Sequence, residues 1–474
     1  MFMESGYRQY NRMRSIRIIL LLTLLFGAWT GLRAETTNVL VWNTGAEKVT
    51  ADIHGEALWP LLEDIGNQTG WHIFVEPGAD RKADVKFKNL PRGEALKILL
   101  GDLNFAYVPQ TNGPDSLYVF TTTMLNATHR VGTNAAKITK QQHVPNQLLV
   151  RLKPGANIDA LARAVGAKVV GRNEKLGLYL LEFPDAATTD AALAQLKGDA
   201  NVADVDYNYI FQAPPAPQPL ANAPGAAPSL TLDPTTPNDP CNPVVGLIDT
   251  AVTSSGSALD QFMLKPISVV GTDGSTAATT TSGSGLTHGT AMYQTILNAI
   301  SQATGGHSGV KILPVQVFDN TETATTWNVA LGVQAAVDNG ATVLNMSLGG
   351  GTDSPVLDSI IQQAVTDGVI IFAAAGNTPV NTPTYPAAIT GVNAVTALAA
   401  PGQLASYANY GSFVDMALPG ASIVYQNGEA WEVQGTSPAT AYATGVAVGT
   451  KSSGCAGWTQ IESALKQKYP VPQN

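Results

Sequence analysis

Residues 341–377 read ATVLNMSLGGGTDSPVLDSIIQQAVTDGVIIFAAAGN. Two near-continuous apolar runs, ATVLNMSL and VIIFAAA, flank Val356–Val365, where apolar residues recur at helical spacing. Apolar runs without alternation are expected of parallel strands buried on both faces and joined by a helix. The pattern continues outward. VVGLID and KILPVQVF come before, VNAVTALA comes after, and a second helical pattern covers Ala330–Val337. The reading is α/β: a doubly wound parallel sheet over residues 241–474, with its site at the carboxyl ends of the strands.

Polar residues stand where those strands end. Asp249 closes VVGLID, His288 opens a helix after SGLT, and Asn377 follows VIIFAAAG. Ser437 lies in QGTSPATAYATG, where a glycine turn meets a helix. A serine hydroxyl is a poor nucleophile until a base takes its proton, which assigns His288 to Ser437. The imidazole must be held in one tautomer and its cation stabilised, which is the work of a carboxylate such as Asp249. The Asn377 amide and the Ser437 backbone N–H are donors for an oxyanion, and a helix N-terminus favours the negative charge. Taken singly, these residues also read as a strand-end cap, a helix-start residue, a turn residue and an N-cap. It is their combination that points to chemistry. His307 reads as a loop residue, and Met346 and Met416 as core.

The motifs VVGLIDTAV, THGTAM, NMSLGG, AAAGN, TYPAA, SYANYGSFVDMALPG and GTSPATAYATG follow one another as in the subtilisin-like serine proteases, and the resemblance covers nearly all of 241–474. It implies a triad of Asp249, His288 and Ser437, with Asn377 in the oxyanion role. It also implies that Ser347, Leu348 and Gly349 pair with substrate as an added strand. Ala374, Ala375 and Gly376 would then wall the primary specificity pocket. Four positions depart from the pattern: Tyr293 and Gln294 where small residues are usual, Pro438 where Met is common, and Ala441 in place of a proline. No cofactor is required. The resemblance allows the structural calcium of many relatives, but a short block with few charges and no Arg gives no locatable site for it.

The preceding chain divides by composition. Residues 143–211 read β-α-β-β-α-β, a ferredoxin-like split motif. Placed before a subtilisin-like block, this unit resembles the propeptide domain of the fervidolysin-like type, which implies an inhibitor and folding partner carried in the same chain. Residues 212–240, rich in Pro and Ala, read as an extended exposed linker, and 126–142 as a shorter polar one. Residues 35–125 read β-α-β-β-α-β-β. Leu58, Leu61, Leu62 and Ile65 mark one helix face, and Leu96, Leu99, Leu100 and Leu103 the other. A hairpin turning at Asn112-Gly113 follows. LLEDIGNQTGWHIFV with VKFKNLPRGEALKILLGDLNFAYV resembles the secretin and TonB short N-terminal domain, which implies docking to an envelope protein. His54 and His72 read as surface or packing residues.

Residues 1–34 hold four Arg before an apolar run, Ile18 to Trp29, too short to span a bilayer but suited to a signal peptide ending at Ala34. An uncleaved anchor is the other reading. Export to the periplasm or medium follows from the first, with no stable membrane span. Oxidising surroundings allow the only two thiols, Cys241 and Cys455, to bridge; two separate buried thiols is the alternative. A net charge of −9 argues against a nucleic-acid partner. The function expected is an exported serine endopeptidase acting on protein or peptide substrates and made as a self-inhibited zymogen. A weak or inactive relative of that fold, serving as an envelope docking protein, is the alternative.

Overall fold

The computed structural model describes residues 38–472 except 44, 46, 77–78, 80, 110–114, 123, 125–128, 132–141, 221–229, 236–240, 272–285 and 401. The expected signal peptide and the Asn112-Gly113 turn lie outside the described residues. The chain forms two compact units divided between residues 134 and 135.

The first unit runs β1 (Val39–Asn43), β2 (Lys48–Ala57), α1 (Leu58–Thr69), β3 (His72–Val75), β4 (Lys82–Pro91), α2 (Arg92–Leu100), β5 (Asn104–Val108), β6 (Ser116–Phe120) and β7 (His129–Val131). They make two sheets, β1-β2-β4 and β5-β6-β3-β7. Both leucine faces read from the sequence are buried in one core. Two elements differ from the reading. A pair of strands, not one, precedes α1, and β7 arises from the stretch read as a linker. β7 is three residues pairing with β3, too short to leave a periodic signature. His54 is exposed, with Nε2 3.1 Å from Asp52, and His72 lies half-buried in β3.

The second unit begins with β8 (His143–Leu152), α3 (Ile158–Ala164), β9 (Lys168–Asn173), β10 (Leu178–Glu182), α4 (Ala186–Leu196) and β11 (Val202–Gln212). This small domain has the element order read from its sequence. Its sheet is antiparallel, β11-β8-β10-β9. Asn157 and Asp185 cap its helices, each accepting from a backbone N–H three residues on.

The segment read as an exposed linker is partly docked instead. It contains β12 (Gln218–Pro219) and β13 (Asp233–Pro234), and both Pro217 and Leu232 are buried. Low charge and many prolines excluded a helix. They did not reveal that neighbouring strand edges were available to pair with this backbone.

The remaining elements are β14 (Val244–Asp249), β15 (Ile267–Ser268), α5 (His288–Thr304), β16 (His307–Ser308), β17 (Lys311–Gln316), β18 (Thr323–Thr325), α6 (Thr326–Asp338), β19 (Val343–Met346), α7 (Pro355–Thr366), β20 (Ile370–Ala374), β21 (Val392–Ala400), β22 (Gln403–Leu404), β23 (Met416–Pro419), β24 (Ala421–Gln426), β25 (Glu429–Gln434), α8 (Thr436–Gly454) and α9 (Trp458–Lys468). The main sheet has the order β15-β17-β14-β19-β20-β21-β22, with β23 also beside β21. All of its described pairings are parallel except β21 with β22. This is the α/β sheet expected. Met346 and Met416 are fully buried in it, and His307 is exposed.

The bulky pair on α5 is accommodated. The Tyr293 hydroxyl donates to the Leu259 carbonyl at 2.7 Å, and Gln294 Oε1 accepts from the Tyr425 N–H at 3.0 Å. Their polar tips are satisfied while their stems fill the core, so neither strains the helix. Cys241 and Cys455 form a disulfide with Cα atoms 4.9 Å apart, joining the start of this domain to the end of α8. Among the described residues no helix is long and apolar enough to cross a membrane.

The small domain covers α6 and α7. β11 continues into an antiparallel pairing with β18, Ile210 opposite Thr325 and Gln212 opposite Thr323. Asn208 Oδ1 accepts from the Trp327 N–H at 3.1 Å. Asp204 Oδ2 accepts from Arg151 Nε at 2.6 Å and from the Ser359 hydroxyl at 2.9 Å. Asp206 is buried at the start of α7, where burial raises its carboxyl above the usual range despite hydrogen bonds from Tyr207, Tyr209 and Ser354.

Candidate active site

Three neighbouring parallel strands end together. Ile248 of β14 lies opposite Met346 of β19, and Met346 lies opposite Ala373 of β20. Asp249, Ser347 and Ala374 therefore sit side by side at the carboxyl edge of the sheet, where this architecture builds its sites.

Asp249 is held by the Thr250 N–H at 2.7 Å. His288 Nδ1 lies 2.8 and 3.1 Å from the two Asp249 carboxylate oxygens. A carboxylate only accepts, so Nδ1 carries the proton and Nε2 is the basic nitrogen. The helix bearing His288 is anchored at its first turn. Thr287 caps it and donates to the Ala251 carbonyl at 2.7 Å, and the Gly289 N–H donates to Thr250 Oγ1 at 2.8 Å. Gly289 is required here, because a Cβ would come within 2.3 Å of the Thr250 carbonyl oxygen.

Ser437 is the second residue of α8, a 19-residue helix whose N-cap is Gly435. Ser437 is therefore not the cap that its position suggested, and Pro438 lies in the first turn, where a missing N–H costs no helical bond. Gly435 has φ 143°, a conformation open to glycine, and a Cβ there would sit 3.0 Å from Asn377 Nδ2. Asn377 Oδ1 accepts from the Thr436 N–H at 2.8 Å and from its hydroxyl at 3.0 Å. That fixes the amide, with Nδ2 on the Gly435 side and the residue exposed.

The Ser437 hydroxyl does not bond to His288. It donates to the Ser347 carbonyl at 3.4 Å, and the Ser347 hydroxyl donates back to the Ser437 carbonyl at 3.3 Å. His288 Nε2 is buried with no hydrogen-bond partner among the described residues. Asp249 is 1% exposed, and His288 and Ser437 are 3% exposed each.

Ser347 and Leu348 are buried and Gly349 is exposed. Ala374, Ala375 and Gly376 extend β20, and the Thr384 hydroxyl donates to the Ala375 carbonyl at 2.6 Å. The structure joins Asp249 to His288, Ser347 to Ser437, and Asn377 and Gly376 to Thr436, and it shows no His288–Ser437 hydrogen bond among the described residues. It adds residues that the sequence reading missed. Asn345 Nδ2 donates to Ser347 Oγ at 3.0 Å, and Thr444 Oγ1 donates to Asn345 Oδ1 at 2.9 Å, all buried. An asparagine inside an otherwise apolar strand was the available signal. Among the described residues no three His, Cys, Asp or Glu side chains cluster as metal ligands do.

A model of the subtilase family matches residues 241–469, and a model of the fervidolysin N-terminal prodomain matches residues 130–208. Over 169 residues the chain is 34% identical to the thermostable alkaline protease of Halalkalibacterium halodurans, a match covering 35% of this chain and 47% of that protein. It is 32% identical over 271 residues to subtilisin NAT of Bacillus subtilis subsp. natto, covering 55% of this chain and 68% of that protein. Against the crystal structure of fervidolysin from Fervidobacterium pennivorans, identity is 20% and the TM-score 0.49, covering 65% of this chain and 54% of that one. The chain belongs to the subtilase family.

Proposed function

We propose that the protein is a serine endopeptidase exported as a self-inhibited zymogen. The observation that carries this reading is the buried Asp249–His288 pair, whose Nε2 has no partner among the described residues, at a sheet edge where Ser437 is tied to Ser347 and Asn377 to Thr436. In the working site the Ser437 hydroxyl turns from the Ser347 carbonyl to Nε2, gives up its proton and attacks the peptide carbonyl. Asp249 stabilises the imidazolium. Asn377 Nδ2 and the Ser437 N–H receive the oxyanion. His288 then hands the proton to the departing amine, and water releases the acyl group by the reverse of these steps.

Residues 143–211 act as the inhibitor, through β11 and its pairing with β18. The first unit serves as an envelope docking module, and residues 1–34 direct export; both proposals rest on sequence resemblance and composition. The alternative, an inactive docking relative, drew on the bulk of Tyr293 and Gln294. Their satisfied hydrogen bonds favour the enzyme. The test is reaction of the purified chain with a fluorophosphonate probe and hydrolysis of casein, compared with Ser437→Ala. Equal casein hydrolysis by both proteins, or no labelling of any processed form, overturns the reading.

A further inference from the structure

The segment between the small domain and the main sheet is fixed at two distant points. Upstream, Gln212 faces Thr323 and the Ala213 N–H donates to the Glu322 carbonyl at 2.7 Å. Downstream, Gln218 faces Glu432 and the Leu220 N–H donates to the Ala430 carbonyl at 2.9 Å. β18 follows the carboxyl end of β17, on one side of β14. β25 leads through Gly435 and Thr436 into Ser437, which is tied to Ser347 beyond β19, on the other side of β14. Residues 213–217 therefore run between β18 and the strand that leads into Ser437, past the carboxyl end of β14, where Asp249 holds His288. Six peptide steps, at most about 20 Å of chain, span the two attachments. Pro217 is buried in this crossing, and the two groups that must meet substrate, His288 and Ser437, are each only 3% exposed.

The sequence of this crossing is Ala213-Pro214-Pro215-Ala216-Pro217-Gln218-Pro219-Leu220. Every peptide bond in it has proline on at least one side. Whichever bond lies over Ser437, cleavage must form the Ser437 Oγ–carbon bond, break the carbon–nitrogen bond and deliver the His288 proton to that nitrogen. When the nitrogen is a proline's, a ring carbon occupies the place of its hydrogen and crowds the approach of the imidazole. When proline is on the acyl side, it has no N–H to pair with the cleft, and its φ near −65° departs from the extended form of an added strand.

We propose that Ala213–Pro217 is a resident strap held in the cleft as an uncut inhibitor, and that the cleft binds proline-rich peptides of this kind without hydrolysing them. This rests on the peptidase reading and specifies how that site is kept closed.

Pro215 is exposed, so Pro215→Ala removes no packing, and it leaves the 215–216 bond with no proline on either side. The full chain, P215A, P215A with S437A, and the triple variant P214A/P215A/P217A are incubated at equal concentration. Intact mass, fragment termini, melting profile and fluorophosphonate labelling are followed. The expected result is cleavage of P215A at 215–216 at least tenfold faster than any cut within 213–219 of the parent. Labelling of Ser437 should rise in parallel, S437A should abolish the cut, and the triple variant should behave like P215A. Equal cutting within 213–219 of parent and P215A overturns the strap while leaving the peptidase intact. So does full labelling of Ser437 in a parent or P215A chain whose strap is whole. Folded proteins that neither label nor cut in any form overturn the peptidase reading and the strap with it.

Discussion

Ser437 and Ser347 hold each other in a reciprocal pair: hydroxyl to carbonyl at 3.4 Å one way and at 3.3 Å the other. The Ser437 hydroxyl is thereby held beside the end of β19, while His288 Nε2 has no hydrogen-bond partner among the described residues. At 3.4 Å the bond from the Ser437 hydroxyl is long and weak, so turning the hydroxyl to His288 costs little.

Replacing Ser347 by Ala removes the bond to the Ser437 carbonyl and strands the Asn345 amide, which is buried. A loss of about 1–3 kcal/mol in stability is expected. The urea midpoint of the full chain measures it, and Thr444→Val, which unpairs Asn345 from the other side, should produce a loss of similar size.

Asn377→Leu keeps size but removes the amide donor. A fall in kcat of about 10²–10³-fold with little change in KM is expected, the loss seen when a subtilisin gives up one such donor. Steady-state kinetics of the processed form on one peptide decide it; a matching rise in KM would place Asn377 in ground-state binding instead.

Reducing the Cys241–Cys455 bridge, or replacing both residues with Ser, frees a loop of 214 residues. The expected cost is about 2–5 kcal/mol. Thermal melting of oxidised and reduced protein reads it, and identical midpoints would refute it.

Two carboxylates of the first unit are displaced far from their ordinary range, in opposite directions. Burial would raise Glu76, but hydrogen bonds from Thr122 and Thr121 outweigh it and hold the carboxyl at about 2, against an ordinary 4.5. Its stabilisation is complete above the ordinary value and is lost as pH falls toward 2. Glu63 is the reverse. Burial, only partly offset by a hydrogen bond from Trp59, lifts it to about 7, so ionisation is penalised and stability declines as pH rises from 4.5 through 7. Denaturation of the full chain followed across pH should show Glu76→Gln flattening the acid limb and Glu63→Gln the neutral one.

Much of this architecture is written in local sequence. Unbroken apolar runs such as VVGLID and VIIFAAA can only be covered on both faces, which makes the sheet parallel and places Asp249 and Asn377 at its carboxyl edge. Spaced leucines mark both helices of the first unit, and the Asp, His, Ser order with its flanking glycines singles out Asp249, His288 and Ser437 as candidates. The contacts that depend on distant partners were not legible. β7 and β12 are two or three residues whose strand character exists only because an edge of β3 or β25 is open to them. Ser437 resting on Ser347, Asn345 supporting that pair, and the proline segment pinned on both sides of the cleft arise from strands and helices far apart in the chain. Tertiary structure decided them, because backbone pairing and buried polar contacts are set by which groups meet in space, and no local pattern encodes that meeting.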